Sequence, residues 1–206
     1  MDGVGGLWAG LVMSRKRGHT ELAEVGEDME NSGAALSLRI KHHAGGAVSL
    51  TCTRRDGSTT WQRFEGPTAM VFPGHDLTHY AVETTLGFDH GFYGLLADGW
   101  NIQDFAKPWP RGEIPAEARE VELIVGFFDS ERREGVSWTA AEFAEHAALF
   151  VGAAEARGKA VPPRTRVLSD ADIAAVRSAR DALLAQWYAT PPGAELQLEF
   201  SRGQRR

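Results

Sequence analysis

The fold is decided by residues 36–64, which read LSLRIKHHAGGAVSLTCTRRDGSTTWQRF. Apolar side chains occupy every second position over 36–40 and again over 48–52, which is the period of a half-buried strand. A third alternation over 59–64 follows the Asp-Gly pair at 56–57, whose residues tolerate the positive φ of a tight hairpin turn. We therefore predict three sequential strands joined as an N-terminal antiparallel meander.

The pattern becomes helical after this meander. Apolar residues recur at helical spacing and predict about five helices, the first over 75–86 and ended by Gly87. Helical spacing continues over 92–105 and predicts the second helix. The last two helices begin at capping boxes, in which a Ser or Thr precedes an acidic residue by three positions: Thr139 with Glu142, and Ser169 with Asp172.

The two ends of the chain complete the predicted fold. Apolar residues alternate again over 196–200 and predict a C-terminal strand that returns to the sheet, so the fold class is α+β. A length of 206 residues suits a single α+β domain, which we expect over 35–201. Residues 1–34 are rich in glycine and acidic side chains, which predicts a disordered N-terminal extension, and 202–206 is predicted to be a basic tail.

The charge balance restricts the class of partner. The chain holds 22 Lys and Arg against 28 Asp and Glu, a net charge of −6, whereas a general nucleic-acid binder needs a basic surface. No apolar run approaches the roughly 20 residues of a membrane-spanning helix. Basic residues follow the apolar segment 3–13 instead of preceding it as in a secretory signal, and the single cysteine, Cys52, excludes an intramolecular disulfide. We expect a soluble, cytoplasmic protein that binds neither nucleic acid nor membranes.

One segment of the first predicted helix carries chemistry. Residues 72–83 read FPGHDLTHYAVE, and a helical rotation of about 100° per residue brings four polar side chains onto one stripe: His75, Asp76, His79 and Glu83. The other faces of this helix are apolar or small, so the helix is predicted to be buried. Buried ionisable groups need partners, which are each other, a metal ion or a polar ligand.

The histidine spacing within this stripe indicates a metal ion. His75 and His79 are four residues apart, which directs two imidazoles to one position. Over five residues only, this segment resembles the H-E-x-x-H zinc helix of the zincins, with Asp76 in place of the glutamate. The resemblance implies a zinc-like divalent ion and a general base at Asp76. Because aspartate is one methylene shorter than glutamate, its reach to a metal-bound water differs.

The third metal ligand has to come from another element. Glu83 lies two turns from His75, about 12 Å along the axis, so it is predicted to orient His79 or to act as a base. We predict Glu122 as the third ligand because it interrupts the apolar run over 121–128. Four other side chains are alternatives: Asp98, Asp104, Asp129 and His90.

The stripe admits three classes of function. In the first, the chain is a metal-dependent hydrolase. Its metal ligands are His75, His79 and Glu122, and its catalytic acids are Asp76 and Glu83. In the second, the chain is a non-catalytic protein-interaction module, and in the third it binds a small polar molecule. The stripe residues also satisfy one another as i,i+3 and i,i+4 pairs, an arrangement that requires no ligand.

Overall fold

The structure, a computed structural model, describes residues 34–158 and 166–202. Of the predicted N-terminal extension only Ala34 is among them, and of the predicted basic tail only Arg202. The other residues of both segments lie outside the described part of the chain, so both predictions stay predictions.

Within the described residues, four strands form one antiparallel sheet in the order β3-β2-β1-β4: β1 is Leu36–His42, β2 Val48–Arg54, β3 Thr59–Phe64 and β4 Glu195–Phe200. The register places Leu38 opposite Cys52 on one side and opposite Leu198 on the other. Alternate residues of β1 and β2 are buried, as their period of two requires. The predicted meander and the predicted returning strand are both confirmed.

Five α-helices occupy the same described residues: α1 is Pro67–Leu86, α2 Phe92–Ala97, α3 Ala116–Glu134, α4 Ala140–Glu155 and α5 Asp170–Ala189. None of them is long and apolar enough to cross a membrane. Both predicted capping boxes are present, because the Thr139 hydroxyl accepts from the Glu142 amide and the Ser169 hydroxyl accepts from the Asp172 amide. The α+β fold class is therefore confirmed.

The first helix begins eight residues earlier than the sequence predicts. It begins at Pro67, and Pro73 lies inside it, although Pro73 has no N–H to donate to the carbonyl of residue 69. Ala69 and Phe72 are buried, and the Phe72 ring stacks on Phe64 with centroids 4.5 Å apart. This apolar burial stabilises the added turns and outweighs the single missing hydrogen bond.

The second predicted helix is interrupted. The helical pattern over 92–105 divides into α2 and a short 3-10 helix, Ile102–Phe105. Gly99 adopts φ +91°, and its amide donates to the Leu96 carbonyl, which ends α2 in a glycine cap. The apolar spacing continues across this break, so spacing alone did not reveal it.

The chain divides into two compact units. The described residues of the first, which we call the sheet unit, are 34–73, 95–113 and 190–201. Those of the second, which we call the helical unit, are 74–94, 114–158, 166–189 and 202. The core of the sheet unit includes Leu36, Ile40 and Leu50. The core of the helical unit includes Val121 and Phe128 of α3. The expectation of one domain over 35–201 stays a prediction.

Candidate metal centre

The polar stripe of α1 faces two acidic side chains of α3, inside the helical unit. His79 contacts Glu122, and His75 contacts Asp129. The residue that comes later in α1 thus meets the residue that comes earlier in α3, so the two helices run antiparallel here. All four side chains are buried, which gives the stripe the partners that its burial requires.

The first pair is a short contact between His75 and Asp129. The His75 Nδ1 atom lies 2.7 Å from Oδ2 of Asp129. The other carboxylate oxygen of Asp129 lies 3.4 Å from both the Thr78 hydroxyl and the Arg132 guanidinium. A carboxylate held on Nδ1 sets the ring orientation of His75 and leaves Nε2 as its metal-binding atom.

The second histidine lies between two carboxylates. The His79 Nε2 atom is 3.1 Å from Oε2 of Glu122. Its Nδ1 atom is 3.4 Å from Oε1 of Glu83, which is within ion-pair range but without the geometry of a hydrogen bond. The rings of His75 and His79 meet edge to face, with centroids 4.7 Å apart and planes at 83°. The two imidazoles therefore lie side by side, as the i,i+4 spacing predicts.

The Glu83 carboxylate is itself held by the first turn of α2. It accepts backbone N–H groups from Tyr93 at 3.0 Å and from Gly94 at 3.2 Å. Gly91 lies directly against it, because a Cβ at that position would be only 2.6 Å from Oε2. The Tyr93 hydroxyl also donates to the Asp76 carbonyl oxygen at 3.1 Å. These contacts bind α2 to α1 and fix the carboxylate beside His79.

The ligand atoms of His75, His79 and Glu122 all lie within 4.8 Å of one another, and all three residues are buried. This group could hold a metal ion. The sequence predicts the same three residues as metal ligands, and the structure brings them together. Glu122 lies 43 residues from His79 along the chain, so only the packing of α3 against α1 creates the group.

Burial strongly affects Asp76, the residue that replaces the zincin glutamate. It raises the pKa of Asp76 to about 6, although the positive charges of His75 and His79 act to lower it. The acids Asp129 and Glu122 act in the same direction as burial. Asp76 is therefore a carboxyl group that gains and loses its proton close to neutral pH.

The histidine–acid contacts also shift pKa values. Burial acts to lower the pKa of His79, but Glu122 and Glu83 outweigh it and raise the pKa to about 10. Burial acts to raise the pKa of Glu122, and the hydrogen bond with His79 outweighs it and lowers that pKa. In the same way the hydrogen bond with His75 outweighs burial and lowers the pKa of Asp129.

The cluster concentrates negative charge in a buried place. It holds four carboxyl groups and two imidazoles: Asp76, Glu83, Glu122 and Asp129, with His75 and His79. The guanidinium of Arg132 touches it at one edge. Four ionised acids exceed the positive charge of this guanidinium and one imidazolium, and burying an excess charge is costly. A divalent cation bound at the cluster would reduce this excess.

Comparison with protein families, with curated proteins and with solved structures finds no match. The interpretation of the site therefore depends on its geometry.

Three of the four alternative ligands predicted from the sequence lie outside the cluster. Asp104 accepts from the Arg111 side chain and from the Asn101 amide, and Asp98 also belongs to the sheet unit. His90 is half-exposed and lies 3.7 Å from Glu117. Among the four alternatives, only Asp129 joins the cluster, as the partner of His75.

Three contributors escaped the sequence analysis: Gly91 and Tyr93, which hold Glu83, and Arg132, which touches Asp129. The pairing of Asp129 had a visible signal. Glu122 and Asp129 are seven residues apart, which is two turns, so both face the same side of a helix. The contact of Gly91 with Glu83 had no signal in the sequence, because it depends on how α2 packs.

Proposed function

We propose that the chain is a metal-dependent hydrolase whose zinc-like divalent ion is bound by His75, His79 and Glu122. The observation that carries this proposal is the convergence of two imidazoles and one carboxylate in a buried group with a 4.8 Å spread. Ligand atoms of a tetrahedral zinc ion, at bond lengths of about 2.0–2.2 Å, lie about 3.3–3.6 Å apart. The 3.1 Å separation of His79 and Glu122 is already close to that spacing.

The surrounding acids support the same assignment. Metal-binding histidines usually donate their second ring N–H to a carboxylate, which fixes the tautomer and the ring orientation. Asp129 faces Nδ1 of His75, and Glu83 faces Nδ1 of His79. In the proposal, Nε2 of each ring therefore binds the ion. Because Glu83 also accepts two backbone N–H groups, we assign it a positioning role.

The proposed chemistry follows from the ligand set. Two imidazoles and one carboxylate leave one position of a tetrahedral ion for water, as in catalytic zinc sites. Such an ion activates water and polarises a carbonyl or phosphoryl oxygen. Asp76, which is buried and directly follows His75 in α1, takes the role of general base. The expectations of a cytoplasmic location and of no nucleic-acid or membrane partner stay predictions.

A competing arrangement uses the same contacts without a metal ion. A protonated His79 pairs with both Glu122 and Glu83, and His75 is hydrogen-bonded to Asp129, so the cluster becomes a buried ion-pair network. The two arrangements differ in metal content, which can be measured directly.

Elemental analysis tests the metal site. The protein is stripped with chelator, dialysed against zinc and then against buffer, beside His79→Ala and the control His90→Ala, whose half-exposed ring lies outside the cluster. We expect one zinc ion per chain in the wild type and in His90→Ala, and none in His79→Ala. A wild-type protein without zinc or any other divalent metal overturns the proposal in favour of the ion-pair network.

Hydrolysis is tested separately with Asp76→Asn and the control Asp98→Asn. A panel of activated carboxylic and phosphoric esters is assayed with zinc-loaded protein. We expect Asp76→Asn to retain zinc and to lose about 10²–10⁴-fold in rate, the usual contribution of a general base. A zinc-loaded wild type that hydrolyses none of these esters, or an Asp76→Asn variant with the full rate, contradicts the catalytic part and leaves the metal site standing.

A further inference from the structure

The basic side chain of Arg132 contacts the buried carboxylate of Asp129 at the edge of the cluster. Its guanidinium lies against the backbone of α1 at Gly74, where an added Cβ would be 3.3 Å from Cζ. Glycine is a poor residue for a helix interior, and here it leaves the space that the guanidinium occupies. Gly74 directly precedes His75, the first residue of the polar stripe. The guanidinium therefore lies beside the N-terminal end of that stripe.

Most of the hydrogen-bonding capacity of Arg132 is not used by the described residues of the chain. A guanidinium offers five N–H donors. In the described part of the chain, Arg132 donates only to Asp129, over a long distance of 3.4 Å. Its side chain is 31% exposed. Arg132 therefore presents a fixed positive charge with several available donors to the solvent.

The exposed fraction of the acidic side chains decreases from Asp129, which Arg132 contacts, to Glu83. The side chain of Asp129 is 10% exposed and that of Glu122 is 9% exposed, whereas Glu83 is fully buried. Asp129, the most exposed of these three acids, is therefore the one that Arg132 contacts, one turn farther along α3.

The charge of the cluster decides which molecules can approach. With a divalent ion bound and neutral imidazoles, the carboxylates of Glu83, Glu122 and Asp129 still exceed the charge of the ion, and this excess repels anions. Arg132 offsets this repulsion at the open edge. Its planar fork of donors matches carboxylate and phosphate oxygens in a bidentate manner, which a lysine does not.

We propose that Arg132 binds an oxyanion group of the substrate, so that the substrate is a carboxylate or a phosphate compound held between Arg132 and the metal ion. This inference rests on the proposed function, because it places the substrate at the metal site. A role confined to the i,i+3 contact with Asp129 is the alternative, and it predicts no effect of Arg132 on anion binding.

Calorimetric titration of zinc-loaded protein with inorganic phosphate and with acetate tests the inference. Arg132→Gln is compared with Arg133→Gln, the neighbouring exposed arginine, which donates to Ser130 at 2.9 Å. We expect Arg132→Gln to bind the preferred anion about 10- to 100-fold more weakly, the range for losing a charged hydrogen bond. Arg133→Gln keeps the wild-type affinity, and Arg132→Lys, which keeps the charge without the fork, lies between. The preferred anion of the wild type distinguishes a phosphate from a carboxylate substrate.

Zinc content, measured on the same samples, separates this inference from the proposed function. A wild type that holds zinc but binds neither anion, or an Arg132→Gln variant with wild-type anion affinity, overturns the inference and leaves the metal site intact. Loss of zinc from Arg132→Gln alone also overturns it, because Arg132 then acts through Asp129 on the metal ligands. A wild type without zinc overturns both. If Arg132→Gln does not fold, Arg132→Lys against Arg133→Lys decides by the same criteria.

Discussion

Replacing Gly91 with alanine perturbs the proposed metal site without touching a ligand. The added Cβ would lie 2.6 Å from Oε2 and 2.8 Å from Cγ of Glu83. An ordinary carbon contact is about 3.5–4.0 Å, so the carboxylate or the start of α2 has to move by about 1 Å. Because the Glu83 side chain is fully buried, it has no route into solvent.

Two measurable effects follow from this displacement. Overpacking costs about 1–3 kcal/mol, and weakened N–H bonds from Tyr93 and Gly94 to the carboxylate add to it, so the free energy of unfolding falls. Glu83 also moves away from Nδ1 of His79. Loss of such an orienting carboxylate lowers metal affinity about 10- to 100-fold. We expect both effects in urea denaturation of the metal-free protein and in zinc titration against a chromogenic chelator.

Gly152→Ala is the matched control for this substitution. Gly152 lies inside α4, and a Cβ there meets nothing within 4 Å, so alanine is expected to stabilise the protein by about 0.5–1 kcal/mol and to leave zinc affinity unchanged. A folded Gly91→Ala variant with wild-type stability refutes the steric reasoning. One with reduced stability but wild-type zinc affinity shows that the position of Glu83 does not matter for the metal.

Three further predictions concern stability. In the metal-free protein His79 has a pKa raised to about 10 from its ordinary 6.5. Its stabilising contribution is therefore complete below pH 6.5 and is lost as the pH rises toward 10. In urea denaturation, the free energy of unfolding of His79→Gln should decline less steeply over this pH range than that of the wild type. Equal slopes would contradict the pKa. Glu131→Ala removes the buried acceptor of Arg177 and of a backbone N–H, and should lower the free energy of unfolding by about 3 kcal/mol. The control Glu134→Ala, at an exposed position, should change it little. Similar urea midpoints for the two variants would show that the ion pair does not stabilise the fold. Thr139→Ala removes the cap of α4 and should cost about 1 kcal/mol in thermal unfolding, and an unchanged midpoint would argue that the cap is dispensable.

Local patterns in the sequence were sufficient to predict those structural features that depend on residues close together in the chain. The period of two in residues 36–64 and 196–200 reflects backbone pleating, and the four strands of the sheet follow it. The capping boxes at Thr139 and Ser169 work within one turn, and both are present. The shared face of His75 and His79 follows from helical rotation alone, and their rings lie side by side.

Tertiary packing decided the features that depend on distant residues. α1 extends back through Pro73 to Pro67 because Phe72 is buried there, which local helix signals do not register. Glu122 was predicted from its position in an apolar run, but its contact with His79 spans 43 residues, and the contact of Asp129 with His75 spans 54.

The difference has a physical cause. Backbone hydrogen bonding and side-chain direction repeat along an element, so they leave a period in the sequence that can be recognised. Which face packs against which is decided by apolar burial and shape complementarity over a whole unit, and many sequences satisfy these equally well. The sequence therefore determined that α1 carries a stripe of ionisable groups, and only the packing of α2 and α3 decided which acids and which glycine surround it.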